Sequence, residues 1–193
     1  QTCALPICTP LATGVWYHVA ATYDGTNWAL YLNGSLETNV VSGQTPRYDS
    51  IQHAALATAL NSTGVTNGFF AGVLDEVRIW NYARSAAQIA SNSAWTIASA
   101  PGLIARWALD DGSGTTATNT GTTLLSGLLT NGPVWTAGYP FPPTVALTSP
   151  ANGATLSGPL NLLLQASATD PDGTVTNAAF YDDATLLGAV TSA

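Results

Sequence analysis

The chain has 193 residues, of which 46% are apolar and 8% are charged, so it can build a hydrophobic core and is not a disordered polymer. Its four basic residues are all arginine and stand against 11 acidic residues, which gives a net charge of −7 and disfavours nucleic acid or an anionic membrane surface as a partner. No apolar run reaches the roughly 20 residues of a membrane-spanning helix, so membrane insertion is not expected.

Residues 1–9 are interpreted as a non-native or disordered leader, because the stretch from Cys3 to Cys8 resembles translated sequencing-adapter DNA. One short disulfide between these two cysteines is the alternative. The chain contains no methionine, so we expect it to be a fragment whose signal peptide was lost or lies further upstream.

The segment 16–41 has the pattern of three consecutive strands. Residues 16–23 alternate between two largely apolar faces, which predicts a central strand covered on both sides. A turn at 24–27 and a strand at 28–32 follow, and then the Asn33-Gly34 pair signals a hairpin into a third strand at 35–41. Short strands of this kind between Gly, Asn and Pro are typical of sandwiches and barrels.

A short strand at 56–60 and a continuous strand at 69–80 are predicted next. Period-two alternation along 69–80 places Asp75 and Glu76 on opposite faces. The Ser85-Ala86-Ala87-Gln88 sequence then fits a capping box and predicts one helix over 86–92, the only helix that we expect.

The composition changes after a proline-rich linker at 140–143, which cannot continue a sheet. Strand-like runs at 103–109 and 124–129 precede it. We therefore predict a first domain over 10–141 and a second over 142–193. The second domain has about four predicted strands, at 145–147, 160–168, 175–181 and 186–190.

The segments 16–25, 30–34, 70–81 and 83–89 resemble, in this order, bacterial laminin-G-like domains of the concanavalin A-like lectin/glucanase superfamily. This resemblance implies an all-β, jelly-roll β-sandwich. The segment 102–114 is similar to the opening strand of the same family, yet it follows the helix. We therefore expect an N-terminally truncated sandwich, closed or extended from its C-terminal side.

The segment 142–193 resembles the first half of a bacterial Ig-like domain used as a spacer, which implies a partial Ig-like β-sandwich with fewer than the seven strands of a complete one. The chain is thus interpreted as two all-β modules.

Catalysis is not expected, although the superfamily includes glucanases. Glycoside hydrolysis needs two carboxyl groups roughly 5–10 Å apart around one bond. The Glu-x-Asp-x-x-Glu pattern of the similar glucanases is absent, and alternation separates Asp75 from Glu76. Structural roles are expected instead. Asp75 is held by amide groups or by Arg84, locking strand to helix, and Glu76 forms a surface pair with Arg78 worth under about 1 kcal/mol.

Four residues are candidates for ligand or metal binding. Asp24 and Trp28, at the edge of the first turn, are candidates for carbohydrate binding, with core packing as the alternative for Trp28. Asp170 and Asp172 begin an oxygen-rich loop that suits calcium, but the twelfth position of the loop is Tyr181 and not Glu, so it is no EF-hand. A turn held by Asx hydrogen bonds explains the two aspartates equally well.

Two functional hypotheses remain from the sequence. The first is a non-catalytic recognition module that binds carbohydrate or another cell-surface polymer, or mediates adhesion, in a secreted or surface-attached bacterial protein. The second is a structural accessory module of a secreted polysaccharide-degrading enzyme whose catalytic domain lies elsewhere. Both hypotheses place the chain outside the cell.

Overall fold

A computed structural model describes residues 9–41, 54–123, 125–158 and 161–191. These residues form thirteen strands and one short helix, which confirms the all-β class predicted from the sequence. The chain divides into two compact units, residues 1–139 and 140–193. The predicted leader, with Cys3 and Cys8, lies almost entirely outside the described residues.

The first unit begins with a three-stranded antiparallel sheet in the order β1-β2-β3. The prediction that the first strand is central is wrong: β1 lies at the edge, and Val19 is 52% exposed. The Asn33-Gly34 turn brings the next strand to the far side of β2, so β2 is central and Ala29 to Leu32 are buried. The strands are β1 (Val19–Tyr23), β2 (Asn27–Leu32) and β3 (Ser35–Val41).

The hairpin turn between β2 and β3 requires glycine for two reasons. Asn33 and Gly34 both have positive φ, 48° and 80°, which is the conformation that matches the twist of the flanking strands. In addition, a Cβ atom on Gly34 would lie 2.7 Å from the Cα atom of Ala90 in the helix described below. Any side chain at position 34 would therefore strain the turn and collide with the helix.

The predicted continuous strand at 69–80 is wrong. The ladder is interrupted over residues 70–76, and Glu76, at the end of this gap, takes a positive φ of 49°, a conformation that does not continue a strand. Each part pairs with a different neighbour, β5 with β4 and β6 with β7. The strands are β4 (Thr58–Leu60), β5 (Thr66–Phe69), β6 (Val77–Trp80) and β7 (Leu103–Trp107).

The helix α1 spans Ala86–Asn92, as the sequence predicts. The amide of Gln88 donates to the Ser85 hydroxyl at 3.3 Å, and the amide of Ser85 donates to the Gln88 side chain at 2.9 Å, which completes the predicted capping box. Ile89 is 2% exposed and packs against Ala29 and Tyr31 of β2. The helix thus covers one face of the three-stranded sheet. No helix within the described ranges is long and apolar enough to span a membrane.

The first unit continues with a small hairpin of β8 (Thr116–Ala117) and β9 (Gly127–Leu128). Asn119 is 7% exposed and all its side-chain bonds are internal. Its Oδ1 accepts from the amides of Arg106 and Gly121, and its Nδ2 donates to Thr123 Oγ1 and to the carbonyl of Leu125. Asn119 therefore connects this segment to β7 and is not available to a ligand.

The second unit consists of two separate antiparallel hairpins, β10–β11 and β12–β13. None of its described residues is buried, and apolar side chains on its strands remain open to solvent, with Val145 71% and Val190 62% exposed. The strands are β10 (Thr144–Ser149), β11 (Gln165–Thr169), β12 (Asn177–Asp182) and β13 (Thr185–Thr191).

Candidate functional site

An open depression of about 400 Å³ lies beside helix α1 in the first unit. The end of β6, the connection to α1, the helix and the segment after it all contribute side chains. Its lining combines two aromatic rings, three polar side chains with planar end groups and a small apolar floor. The lining residues are Trp80, Tyr82, Arg84, Gln88, Asn92, Ile97, Ala100 and Pro101.

The aromatic side of the depression is formed by Trp80 and Tyr82. Their rings meet edge to face, with 5.9 Å between centroids and 77° between planes, and Tyr82 is 41% exposed. Gly102 has a φ of 83°, and a Cβ there would lie 2.5 Å from the Tyr82 ring. The bare backbone at position 102 therefore lets the Tyr82 ring lie close against the chain.

Arg84 forms the polar side of the depression and is held by three contacts. Its Nη2 donates to the backbone carbonyl of Gln88 at 3.1 Å and to the side-chain oxygen of Asn92. Its guanidinium lies 4.3 Å from the centroid of the Trp80 ring, a cation–π distance. Its Nε is buried and has no hydrogen-bond partner among the described residues. The guanidinium is thus fixed in position with hydrogen-bonding capacity left over.

Asp75 is held by an amide group, one of the two partners predicted for it, and no ion pair with Arg84 is present among the described residues. Its carboxylate accepts from the amide of Tyr139 at 2.9 Å. A Cβ atom on Gly138 would lie 2.8 Å from the same carboxylate, so glycine allows this close approach. Asp75 therefore connects to the last residues of the first unit and does not lock the strand to the helix.

Glu76 and Arg78 do not form the predicted surface pair. The side chains of Glu76, Arg78 and Arg106 are 6%, 9% and 12% exposed, and the carboxylate of Glu76 lies between the two guanidinium groups. Arg106 binds both carboxylate oxygens, whereas the Nε of Arg78 lies 3.8 Å from the nearer one. Arg78 and Arg106 are direct cross-strand neighbours, so Glu76 separates two like charges. The positive φ of Glu76 is what turns its side chain away from simple alternation.

His18 belongs to the same positively charged neighbourhood. Its backbone exchanges hydrogen bonds with Asn33 at the hairpin turn, at 2.9 and 2.8 Å. Burial, followed by the charges of Arg78 and Arg84, lowers the pKa of the imidazole, and Nδ1 has no partner in the described part of the chain. His18 is therefore a neutral side chain at neutral pH.

Asp24 and Trp28, the ligand candidates from the sequence, are engaged in the first turn. The carboxylate of Asp24 accepts from the amides of Thr26 and Asn27 at 2.8 and 2.7 Å and from the Asn27 side chain at 2.9 Å, and these bonds lower its pKa to about 2. Trp28 is half-buried and stacks on Tyr23, with 4.8 Å between centroids. This arrangement holds the turn together, and one face of each ring is already used.

Asp170 and Asp172, the calcium candidates, also take part in local structure. The amide of Asp172 lies 3.5 Å from Asp170 Oδ1, and Asp172 Oδ2 accepts from the amide of Phe141 at 3.1 Å. Within the described ranges, no group of three or more His, Cys, Asp or Glu side chains is arranged to hold a metal ion. A calcium site at this loop stays a prediction without a third ligand.

Most of the depression is not predicted from the sequence. The sequence assigns Gln88 only to the capping box of the helix and gives no ligand-binding role to Trp80, Tyr82 or Asn92. Two spacings carry a signal: Trp80, Tyr82 and Arg84 alternate with period two, and Gln88 and Asn92 lie four residues apart on one helix face. Neither spacing shows that the side chains of residues 80–84 and those of the helix line the same depression.

Comparison with known families identifies the class of each module. Residues 5–90 match the family model of the concanavalin A-like lectin/glucanases superfamily, and residues 143–193 match the bacterial Ig domain. The model that matches the first segment is, more particularly, the laminin-G-type model of this superfamily, which confirms the resemblance predicted from the sequence motifs. The match begins at residue 5, inside the segment interpreted as a leader.

One crystal structure, from Bacteroides ovatus, is similar to part of this chain. It is described as "a putative carbohydrate binding protein", is 24% identical in sequence, and superposes with a TM-score of 0.45. The similarity covers 66% of this chain and 40% of that protein. No curated protein matches the chain significantly.

Proposed function

We propose that the first unit is a non-catalytic carbohydrate-recognition module that works outside the cell, and that the depression beside α1 is its binding site. The observation that carries the proposal is the combination of Trp80 and Tyr82 with Arg84, Gln88 and Asn92 in one open depression. A sugar ring offers apolar C–H faces that pack on aromatic rings, and its hydroxyl groups pair with planar polar side chains.

The family match of residues 5–90 is a second, independent argument for this proposal. The superfamily to which residues 5–90 belong is named for lectins and glucanases, two classes that bind carbohydrate. Laminin-G-like and bacterial Ig modules are typical of extracellular proteins, which supports the location.

The lining favours binding over hydrolysis. A glycosidase needs two carboxyl groups around the scissile bond, and none of the described residues that line the depression is Asp or Glu. Asp75 and Glu76, the nearest acidic pair in sequence, are bound to Tyr139 and to Arg106. These engagements support structural roles for both acids.

The proposal is tested on a glycan array and then by calorimetry with the glycans that bind. The Tyr82→Ala variant removes an exposed ring from the depression and is expected to weaken binding about tenfold, the loss of one aromatic contact. The matched control is Tyr181→Ala, an exposed tyrosine of the second unit that is expected to leave affinity unchanged.

A third variant, Trp28→Ala, distinguishes binding in the depression from binding at the stacked rings of Tyr23 and Trp28. If Trp28→Ala abolishes binding and Tyr82→Ala does not, the site is the Tyr23–Trp28 stack and the assignment to the depression is wrong. If the array shows no binding with or without calcium, the recognition function itself fails. The accessory-module hypothesis then takes its place.

A further inference from the structure

We propose that the depression beside α1 selects a uronic acid, which is a sugar unit that carries a carboxylate, and that Arg84 binds this carboxylate. This inference rests on the proposed function, because it names the class of sugar that the same site takes. Three observations support it. Arg84 carries the charge of the depression, its guanidinium has no carboxylate partner among the described residues, and its contacts with Trp80, Gln88 and Asn92 fix its position.

The depression is an exception in the charge pattern of the chain. The protein carries 11 acidic residues against four arginines, yet among the described residues that line the depression Arg84 is the only charged one. A carboxylate-bearing ligand would therefore meet a positive charge in the site while the rest of a strongly acidic protein repels it. Such an arrangement favours anionic ligands at this one place.

Arg84 also differs from the neighbouring arginines in having no carboxylate partner. Arg78 and Arg106 share Glu76, whereas no Asp or Glu oxygen lies within 4.0 Å of Arg84 in the described part of the chain. A half-buried guanidinium without a counter-ion retains a strong tendency to pair with an anion. A uronate supplies the missing charge and accepts charge-assisted hydrogen bonds from the guanidinium fork.

The hydrogen bonds of Arg84 to the described residues leave the Nη1 group of the guanidinium for a ligand. Both bonds to Gln88 and Asn92 come from Nη2, and Nη1 donates to no described residue. The Trp80 ring supports the guanidinium plane, so little side-chain freedom is lost when a ligand binds. Tyr82 remains 41% exposed and offers a surface for the sugar ring.

The experiment uses the full chain and compares two acidic oligosaccharides with their methyl esters, which lack the negative charge of the carboxylates. Calorimetry measures the affinity for oligogalacturonate and oligomannuronate and for their methyl esters, in which each carboxylate is neutral. We expect the acid forms to bind at least about tenfold more tightly than the esters, because a charge-assisted pair is roughly twice as strong as a neutral hydrogen bond.

The matched variant is Arg84→Gln combined with Asp183→Asn, which keeps the net charge at −7. Asp183 lies in the exposed turn of the second unit with a φ of 48°, a conformation that asparagine tolerates. This double variant is expected to bind acid and ester equally, and Asp183→Asn alone to keep the preference. An acid preference that persists in the double variant overturns the role of Arg84.

A second measurement keeps the proposal testable if the variant does not fold. In the native chain, the Nε–H signal of Arg84 in a nitrogen–proton NMR spectrum should shift with added uronate and not with the ester. An array that identifies only neutral glycans, or equal affinity for acid and ester, overturns the inference and leaves the proposed function intact. Absence of any glycan ligand removes both.

Discussion

In the first unit, strand β2 directs Ala29 and Tyr31 toward Ile89 of helix α1, whereas the second unit has no buried residue among 140–158 and 161–191. Both regions contain antiparallel hairpins, continuous in register between β1 and β2 and with one register shift between β12 and β13. The difference shows that turn residues and alternation are sufficient to specify a hairpin. Burial requires in addition an element that covers a face of the hairpin, and for Ala29 and Tyr31 a capped helix of seven residues supplies it.

The largest difference in stability between the units should appear when the two buried arginines of the first unit lose their shared carboxylate. We expect Glu76→Gln to lower the free energy of unfolding of the first unit by about 4 kcal/mol, because Arg78 and Arg106 then face each other without a carboxylate. Urea unfolding followed by tryptophan fluorescence measures this, since all six tryptophans lie in residues 1–139. The control Asp183→Asn makes the same charge change at an exposed turn and should stay within about 0.5 kcal/mol.

A cost below about 1 kcal/mol for Glu76→Gln would mean that water reaches the ion group and that its burial is not maintained in solution.

The next largest effect should come from the core. Ile89→Ala removes a side chain that is 2% exposed and should cost about 3 kcal/mol, since the cavity lies between helix and sheet. Leu187→Ala removes a side chain that is 56% exposed in the second unit and should cost less than about 0.5 kcal/mol. Amide hydrogen exchange measures both, in β2 and in β13. Equal losses in the two units would contradict the contrast between them.

The smallest effect should be a pH dependence in the unfolding free energy of the first unit, which contains both histidines of the chain. The pKa of His18 is lowered in the folded state, so the unfolded chain binds a proton more readily. The unfolding free energy should therefore fall as pH decreases through about 6.5 and level off below the folded-state pKa. The slope of the native protein minus that of His18→Gln isolates this residue from His53. An identical slope in both proteins would show that His18 is equally exposed before and after unfolding.

The sequence predicted those elements whose determinants are local. Ser85 and Gln88 lie three residues apart and specify the start of α1, and Asn33-Gly34 specifies its hairpin because both residues accept positive φ. The prediction of a continuous strand at 69–80 is wrong because residues 70–76 leave the ladder, and nothing local in the sequence reveals this gap or the positive φ of Glu76 that ends it. That conformation accompanies a partner, Arg106, that is 30 residues away in sequence.

The candidate site could not be predicted for a related reason. Trp80 reads as a core residue by alternation, and its role depends on α1 bringing Gln88 and Asn92 next to Arg84. Asp24 is an exposed acid close in sequence to an aromatic residue, which favours ligand binding, but its carboxylate binds the amides of the turn that it begins. A single sequence indicates which groups are polar and does not show which of them are already satisfied.

The contact of Gly34 with Ala90 has a consequence for engineering the binding surface. The tip of a hairpin and the backbone of a helix touch there without any intervening side chain, so the position of the helix is set from more than fifty residues away. Gln88 and Asn92 are carried by that helix, and they orient the guanidinium that we assign to ligand recognition. Directed-evolution libraries restricted to the rim of the depression would leave out this remote determinant of specificity.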